Sequence, residues 1–518
     1  MAVSFSYIPN DVLQPLFYAE VSNAKAAGGT TPRPSLLVGQ GLGTGFTAGV
    51  PIRILSSGHA NALFRPGSML ARMVRSYLAN DPICELWVVP FADLVAGVAA
   101  TGTLHITGTA TAAGVLALYL GGQRLFIPIA SGDTATIIGG KIQTALGVDE
   151  ATATGLGSTF PVIASNSTGT VTFTARHKGA VGNSIDVRVN YLGAAGSEAL
   201  PPGIAITELP TSGGEPFIHL TSGAGDPDLS TIGAILGDRR YSFVGNPYTA
   251  APALTKWQLE FADNPAGRWG YARRLYGGVW SALNDTAVNL AAFSTANDPH
   301  HSIFGIEGCP NPASEIAAAY CAASAASLRV DPAWPLNTLV LNGILAPHPF
   351  DQFTYTDRNL ILGNGITTPI IDSAGNVRIQ RAVTTYTKNA YGAADASFRD
   401  VTTPYTLDFL LTEMENLVTN QYGRVKLVND GTPVAPGMPV VTPSAIKNAI
   451  VAAYQGWERL AIVENSAVFA KLLRVERDQT DPTRVNVYFP PDLANGLMVF
   501  AALAEFRLQY SPSDMAAA

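Results

Sequence analysis

The feature that most constrains the fold is a change of pattern inside the chain. Strand and helix signals alternate up to about residue 96, strand signals dominate residues 97–214, and the alternation resumes after Thr221-Ser222-Gly223-Ala224-Gly225. Alternating strands and helices call for a sheet covered by helices, whereas many short strands with Gly-rich turns call for sheets packed on one another. A chain in which the second pattern interrupts the first is expected to be multidomain, an α/β core holding an inserted β-rich domain. Its 518 residues exceed one ordinary core and accommodate about three or four domains.

In the first α/β stretch, residues 36–38, 52–55 and 85–89 read as strands. A helix starting after Ser68 carries Leu70, Met73, Val74, Tyr77 and Leu78 at i, i+3, i+4, i+7 and i+8, and Asn80-Asp81-Pro82 stops it, so its stripe should face a sheet. In the insert, residues 116–120 and 124–129 flank Gly121-Gly122, a two-residue hairpin turn, and Ile138, Ile142 and Leu146 lie at helical spacing. Ile185, Val187, Val189 and Tyr191 alternate with Asp186, Arg188 and Asn190, which predicts a sheet wet on one face. Beyond the insert, residues 241–248 read as a buried strand, 313–328 as an Ala-rich helix and 331–347 as a link to a C-terminal domain.

In that domain Thr403 caps, and Pro404 starts, a helix with Leu407, Leu410, Leu411, Met414, Leu417 and Val418 on one face. A second helix begins the same way at Thr442-Pro443 and carries Ile446, Ile450 and Tyr454, and Val485, Val487 and Phe489 form a strand. The two ends read as strand-forming arms. Val3, Phe5 and Tyr7 alternate ahead of an apolar patch at residues 16–18 and a small-residue tether at 25–34, while Phe506, Leu508 and Tyr510 alternate with Glu505, Arg507 and Gln509. The expected division is 1–33, arm; 34–96 with 215–345, core; 97–214, insert; 346–498, C-terminal domain; and 499–518, arm.

Charged residues make up 14% of the chain, well under the roughly 25% usual for soluble domains, so Ser, Thr, Gly, Asn and Ala must cover much of the surface. That composition is compatible with large contacts between subunits. With a net charge of −7 and no basic stripe, the chain is not expected to bind nucleic acid directly, and Arg176-His177-Lys178 reads as a solvated turn. Three cysteines without C-x-x-C spacing argue against a disulfide framework or zinc ribbon. The first ten residues lack an export signal, and about 18 consecutive apolar residues occur nowhere, so no membrane insertion is expected.

The motifs that invite a catalytic reading fail on their spacing. In residues 39–45, GQGLGTG, the third glycine of a dinucleotide fingerprint is misplaced and no helix opens afterwards. Gly140-Lys141 is followed by Ile142 where a P-loop needs Ser or Thr. The adjacent pair His300-His301 lacks metal-ligand spacing and reads as a loop pair, in solvent or at a subunit contact. None of His59, His219 or His348 sits in a recognisable protease context, and no G-x-S-x-G elbow is present. No catalytic residue, cofactor or metal is expected.

Residues 359–411, with the Gly365-Ile366-Thr367-Thr368 turn, the RAVTTY run at 381–386 and the DVTT-initiated helix, resemble contractile tail sheath proteins of tailed bacteriophages. SLLVGQ, PIRILSSGHANALF and GSMLARMV in the core are similar to the Mu-like branch, although Arg65-Pro66 replaces a tighter Phe-Gly turn. The insert phrases GTLHITGTATAAG, YLGGQRLFIPIASGDT and TARHKGAVGNSIDVRVNY are similar to that branch too, so the resemblance covers about residues 34–508. It implies a helical homo-oligomer of stacked hexameric rings around an inner tail tube protein, meeting baseplate and tail terminator proteins, in the virion tail and assembled in the host cytoplasm. The family has a subtilisin-like domain, and its fold can persist without its chemistry.

By position, the resemblance maps strand-exchanging arms onto Val3, Phe5, Tyr7, Phe500, Phe506, Leu508 and Tyr510, and a tube contact onto Lys447, Glu458 and Arg459. Two other classes stay open on the residues alone. A secreted hydrolase on a subtilisin-like scaffold would react with fluorophosphonate probes, and a sugar-binding surface adhesin would retain glycan through residues 97–214.

Overall fold

The computed structural model describes residues 33–207, 211–212 and 215–508, so the expectations for Val3, Phe5, Tyr7 and Tyr510 lie outside the described residues. The chain opens with β1 (Ser35–Gln40), β2 (Ile52–Ile54), α1 (Ser57–Phe64), α2 (Met69–Asn80) and β3 (Leu86–Phe91). The Ser68 side chain accepts the N–H of Ala71, and α2 ends at Asn80, where the sequence places its start and stop. Helix α1 starts after Ser56, whose side chain accepts the His59 N–H, and buries Ala60 and Phe64.

The insert follows as β4 (Ala99–Gly108), β5 (Gly114–Leu120), β6 (Gln123–Ile129), α3 (Ala135–Leu146), β7 (Val162–Ser167), β8 (Thr170–Lys178), β9 (Asp186–Val189), β10 (Ile204–Thr207), β11 (Thr211–Ser212) and β12 (Glu215–His219). Two antiparallel sheets, ordered β10-β4-β8-β7 and β11-β12-β9-β5-β6, enclose a core that includes Leu118, Ile138, Ile142, Leu146 and Phe173. Gly121 and Gly122 have φ of 55° and 78°, the left-handed pair a type I′ hairpin turn requires. Because β12 pairs with β9, residues 215–219 belong to the insert's sheet, beyond the expected limit at 214. Bridges between Val98 and Ala224 and between Thr101 and Thr221 hold the two connecting links side by side.

The core resumes with α4 (Ile232–Leu236), β13 (Phe243–Gly245), α5 (Ala251–Phe261), β14 (Gly278–Asn284), α6 (Ala287–Ala292), β15 (His301–Ile306) and α7 (Ala313–Val330). The sheet order is β15-β14-β13-β1-β3-β2, parallel except where β2 meets β3. Parallel strands bury both faces. Leu37, Phe243, Trp280 and Phe304 pack under α2 and α7, while Leu36, Val38, Val244 and Val279 pack under α4 and α5. Helix α7 is buried from Ser314 to Ala325, and its alanines let α2 approach closely; the α2 stripe therefore meets a helix as well as the sheet.

The remainder holds α8 (Tyr355–Gly363), β16 (Thr368–Ile371), β17 (Val377–Arg381), α9 (Thr402–Tyr422), β18 (Lys426–Leu427), β19 (Val440–Val441), α10 (Pro443–Arg459), α11 (Ser466–Leu472), β20 (Arg474–Arg477) and β21 (Val485–Tyr488). Val377, Ile379, Val401 and Tyr405 join the core's own hydrophobic cluster, and a separate cluster starts at Leu410 with Ile450, Tyr454, Trp457 and Phe469. Helix α9 therefore belongs to both. It begins at Thr402 without a side-chain cap, so Thr403 is inside it and Pro404 sits in the first turn, where no N–H is needed. Of its expected stripe Leu410 is buried, but Leu411 and Val418 remain 36% and 47% exposed.

Candidate functional site

Beyond Leu493 the described residues form no further strand. The segment is rooted by the Ala494 N–H to the Ile462 carbonyl, by Gly496 lying close against Pro335, and by Asn337 donating to the Met498 sulfur at 3.3 Å. Further on, Leu497, Val499, Phe500, Leu503, Phe506 and Leu508 are each between 75% and 97% exposed. Single exposed apolar residues are unremarkable, but six in twelve positions form a contiguous surface that water disfavours. Alternation around Phe506 and Leu508 predicts a strand, and among the described residues no strand includes this segment.

The proposed tube-contact residues lie on α10, whose N-cap Thr442 and N1 Pro443 start it where the sequence indicates. Lys447 and Glu458 are eleven residues apart, which brings them to nearly the same helix face about 16 Å apart along the axis. Lys447 is half-buried and Arg459 exposed, and neither makes an ion pair among the described residues. Glu458 is engaged differently. Its Oε1 accepts the Ser466 N–H at 2.8 Å at the start of α11, and hydrogen bonding from the Ser466 side chain first and then from this N–H lowers its pKa.

Polar side chains that read as solvated from sequence fasten the insert to the core. Arg72 on α2 is 4% exposed; its Nε and Nη2 both lie 2.5 Å from Glu315 Oε1, and it donates to the Gly121 carbonyl at 2.8 Å and the Thr159 carbonyl at 3.0 Å. The wet face expected on β9 is instead covered. Asp186, Arg188 and Asn190 are buried, with Arg188 donating to Asp186 at 2.8 Å and to the Gly308 carbonyl at 2.7 Å. Burial pushes the Asp186 carboxyl up to about 7 despite the pull of Arg188.

Arg176 and His177 are buried in β8 and form no solvated turn: Arg176 donates to the Phe160 and Gly157 carbonyls at 2.7 and 3.0 Å, while the core's link at Asp93 reaches His177. Asp93 meets His177 Nδ1 and Gln40 Nε2 at 2.8 Å each and accepts the Lys178 N–H at 2.9 Å. Burial acts to raise the Asp93 pKa, but these hydrogen bonds, His177 foremost, bring it below the usual range.

The core and the C-terminal unit meet through α9. Tyr405 stacks on Phe243 at 5.0 Å, accepts from Trp280 Nε1 at 3.0 Å and donates to the Ser242 carbonyl at 2.9 Å. Three residues on, buried Asp408 accepts from Arg240 and faces Arg33 at 3.7 Å.

A serine–histidine contact does occur: Ser281 Oγ lies 2.9 Å from His301 Nε2, on β14 and β15. Both are buried within the sheet, and burial alone drives the His301 pKa down to about 3. No substrate reaches such a hydroxyl, so the pair packs the core. His300 stacks on Trp269 at 4.2 Å and is also buried, which replaces the loop pair expected at 300–301. Gly140-Lys141 lies mid-helix in α3, away from any helix N-terminus, with Lys141 on Asp133 at 2.5 Å. Among the described residues no group of three or more His, Cys, Asp or Glu could hold a metal, and no helix is long and apolar enough to cross a membrane.

The fold is a mixed α/β one with an inserted pair of antiparallel sheets and an exposed apolar segment near its C-terminus, and the comparisons give its family. Residues 222–385 match the phage tail sheath protein central domain and residues 393–507 the phage tail sheath C-terminal domain. A Mu-like prophage FluMu tail sheath protein of Haemophilus influenzae is 34% identical over 512 residues, covering 98% of this chain and all of the relative. The chain belongs to the Mu-like branch of the contractile phage tail sheath family, and it is a structural protein, not an enzyme.

Among solved structures, a sheath tail protein of Desulfitobacterium hafniense aligns at 12% identity over 94% of this chain and 97% of its own, with a TM-score of 0.45. The helical sheath of the anti-feeding prophage in its contracted state aligns at 11% identity over 97% and 100%, also with a TM-score of 0.45. The assignment rests on the sequence relative and the family domains.

Proposed function

We propose that the chain polymerises into stacked hexameric rings around an inner tail tube and contracts to drive that tube through a cell envelope. Family membership supports the sheath role, and the observation that carries the polymer is the row of exposed apolar side chains within residues 497–508. A strand donated to a neighbour's sheet edge supplies many backbone hydrogen bonds through a flexible root, which links stiff bodies while letting them rotate. A head-to-tail contact that does not close generates a helix. Contraction then runs downhill from a kinetically held extended state, with no need for nucleotide hydrolysis.

On this reading the arms comprise Val3, Phe5 and Tyr7 at one end and Phe500, Phe506, Leu508 and Tyr510 at the other. Lys447, Glu458 and Arg459 of α10 contact the tube through their charges, with Glu458 also accepting from the start of α11. Baseplate and tail terminator proteins are the partners at the two ends of the polymer, which sits in the virion tail after assembly in the host cytoplasm. Nucleic acid and membrane are not direct partners. The insert, from about residue 97 to 224, rides on the core as an outer domain. Electron microscopy of the purified chain tests the proposal: helical tubes or rings are expected, and stable monomers at high concentration would reject it.

A further inference from the structure

The root of the C-terminal segment is gripped from two sides. On one side the Ala494 N–H donates to the Ile462 carbonyl at 3.1 Å, and the Glu464 N–H reaches back to the Asp492 carbonyl at 2.9 Å. On the other, Gly496 crosses Pro335 so closely that a Cβ would lie 2.6 Å from the proline ring, and Asn337 donates to the Met498 sulfur at 3.3 Å.

Each grip depends on a turn with a residue in the left-handed region. The Leu339 N–H meets the Leu336 carbonyl at 3.5 Å, which makes Thr338 the third residue of a four-residue turn, with φ of +68°. Glycine or asparagine is the usual occupant of such a position, and a β-branched residue there is strained. Helix α10 ends in a Schellman motif, in which the Ala461 N–H bonds the Glu458 carbonyl at 2.9 Å and the Ile462 N–H bonds the Trp457 carbonyl at 3.1 Å. Its left-handed position normally takes glycine, but here it holds Ala461 at φ +54°.

Backbone held in this way persists only where its surroundings over-determine it. The Thr338 N–H donates to the Ile379 carbonyl at 2.7 Å, and its carbonyl accepts from Arg378 Nη1 at 2.9 Å. Arg378 is itself fixed by Nε on Asp372 at 2.7 Å. These bonds use the main chain of Thr338, whose side chain is exposed, so the threonine contributes strain without a hold of its own. The seat is also imperfect: Asn337 Oδ1 is removed from water and meets no donor among the described residues.

We infer that the root of the C-terminal segment is a spring-loaded clasp, in which strained turns at Thr338 and Ala461 grip residues 494–498 and relaxation of either turn frees the segment to change its angle of departure. Strain raises the free energy of the seated root and is absent once the root lifts, so the two arrangements lie close together. The clasp is a property of one molecule and stands whether or not the segment joins copies of the chain.

Hydrogen exchange at the Ala494 and Glu464 amides of the full chain reads the opening directly. In Thr338→Gly and in Ala461→Gly these amides are expected to exchange more slowly, by about fivefold or more for Thr338→Gly, while the amides of β3 keep their natural rates. The sign is diagnostic, because glycine without strain relief adds freedom to the open state and speeds exchange. Thr338→Val keeps the branched Cβ and should exchange at the natural rate. Natural or faster exchange in the glycine variants, equal slowing with valine, or slowing that extends equally to β3 would each overturn the inference.

Discussion

Arg72 of α2 and Glu315 of α7 meet at 2.5 Å in a region where both side chains are almost wholly removed from water. The remaining guanidinium hydrogens point into the insert, to the Gly121 and Thr159 carbonyls and to Gln123 Oε1 at 3.1 Å. One side chain thus joins two core helices to the hairpin turn of a domain that begins some 25 residues later in the sequence. Removing Arg72 strands a buried carboxylate and two carbonyls.

Arg72→Met is therefore expected to destabilise the protein by about 3–5 kcal/mol, the range for breaking a buried pair from one side. Adding Glu315→Leu should recover much of the loss. Urea unfolding midpoints of the single and double variants check this; a loss in the double variant equal to the sum of both singles would show that the two residues are not coupled.

Gly122 occupies the second turn position at φ +78°, and a Cβ there would lie 2.7 Å from the Asn311 side chain. Gly122→Ala adds backbone strain to a clash at the docked turn, with an expected cost of about 1–3 kcal/mol. Faster proteolysis in the links near residues 97 and 224, ahead of the core, is the readout.

His301 and Asp186 titrate with opposite signs. The buried His301 imidazole has a pKa lowered to about 3, so its contribution is present above the unfolded value near 6.5 and is lost as pH falls from there toward 3. Asp186 is raised to about 7, so its contribution is full below the unfolded carboxylate range near 4 and is lost as pH rises through 7. Between pH 4 and 6.5, His301→Leu should make the dependence of melting temperature on pH less positive than in the natural chain. Asp186→Asn should make it more positive. Identical slopes in all three proteins would contradict both assignments.

Lys447→Glu should weaken binding of purified inner tube protein, and the natural interaction should weaken with added salt, as contacts between exposed charges do. Co-sedimentation across a salt series reads both effects; binding insensitive to salt and to the substitution would place the tube elsewhere.

The legible parts of the fold were those whose signals are local. Ser68 ahead of a helical stripe, Thr442-Pro443 before Ile446, and Gly121-Gly122 between two strands each fix a start, a face or a turn within a few residues. Fastening between domains was illegible for the opposite reason. The alternation through Asp186, Arg188 and Asn190 marks a polar face, but what covers it comes from Gly308, more than a hundred residues away. Arg72 goes unmarked in the sequence for the same reason, since its partners at 121, 159 and 315 are distant along the chain. His300-His301 shows the converse, a polar pair in an unremarkable sequence setting that becomes the start of a buried strand.

The C-terminal segment was half legible. Alternation at Phe506 and Leu508 marks a strand pattern, while the exposure of the apolar side chains from Leu497 to Leu508 is visible only in the structure.

The central proposal, that the end of this segment serves to join molecules, is tested most directly by deleting residues 503–518 and imaging the product alongside the intact chain. The account predicts an unchanged unfolding midpoint with complete loss of tubes. Tubes formed by the truncated chain, or a truncated chain that no longer folds, would contradict it.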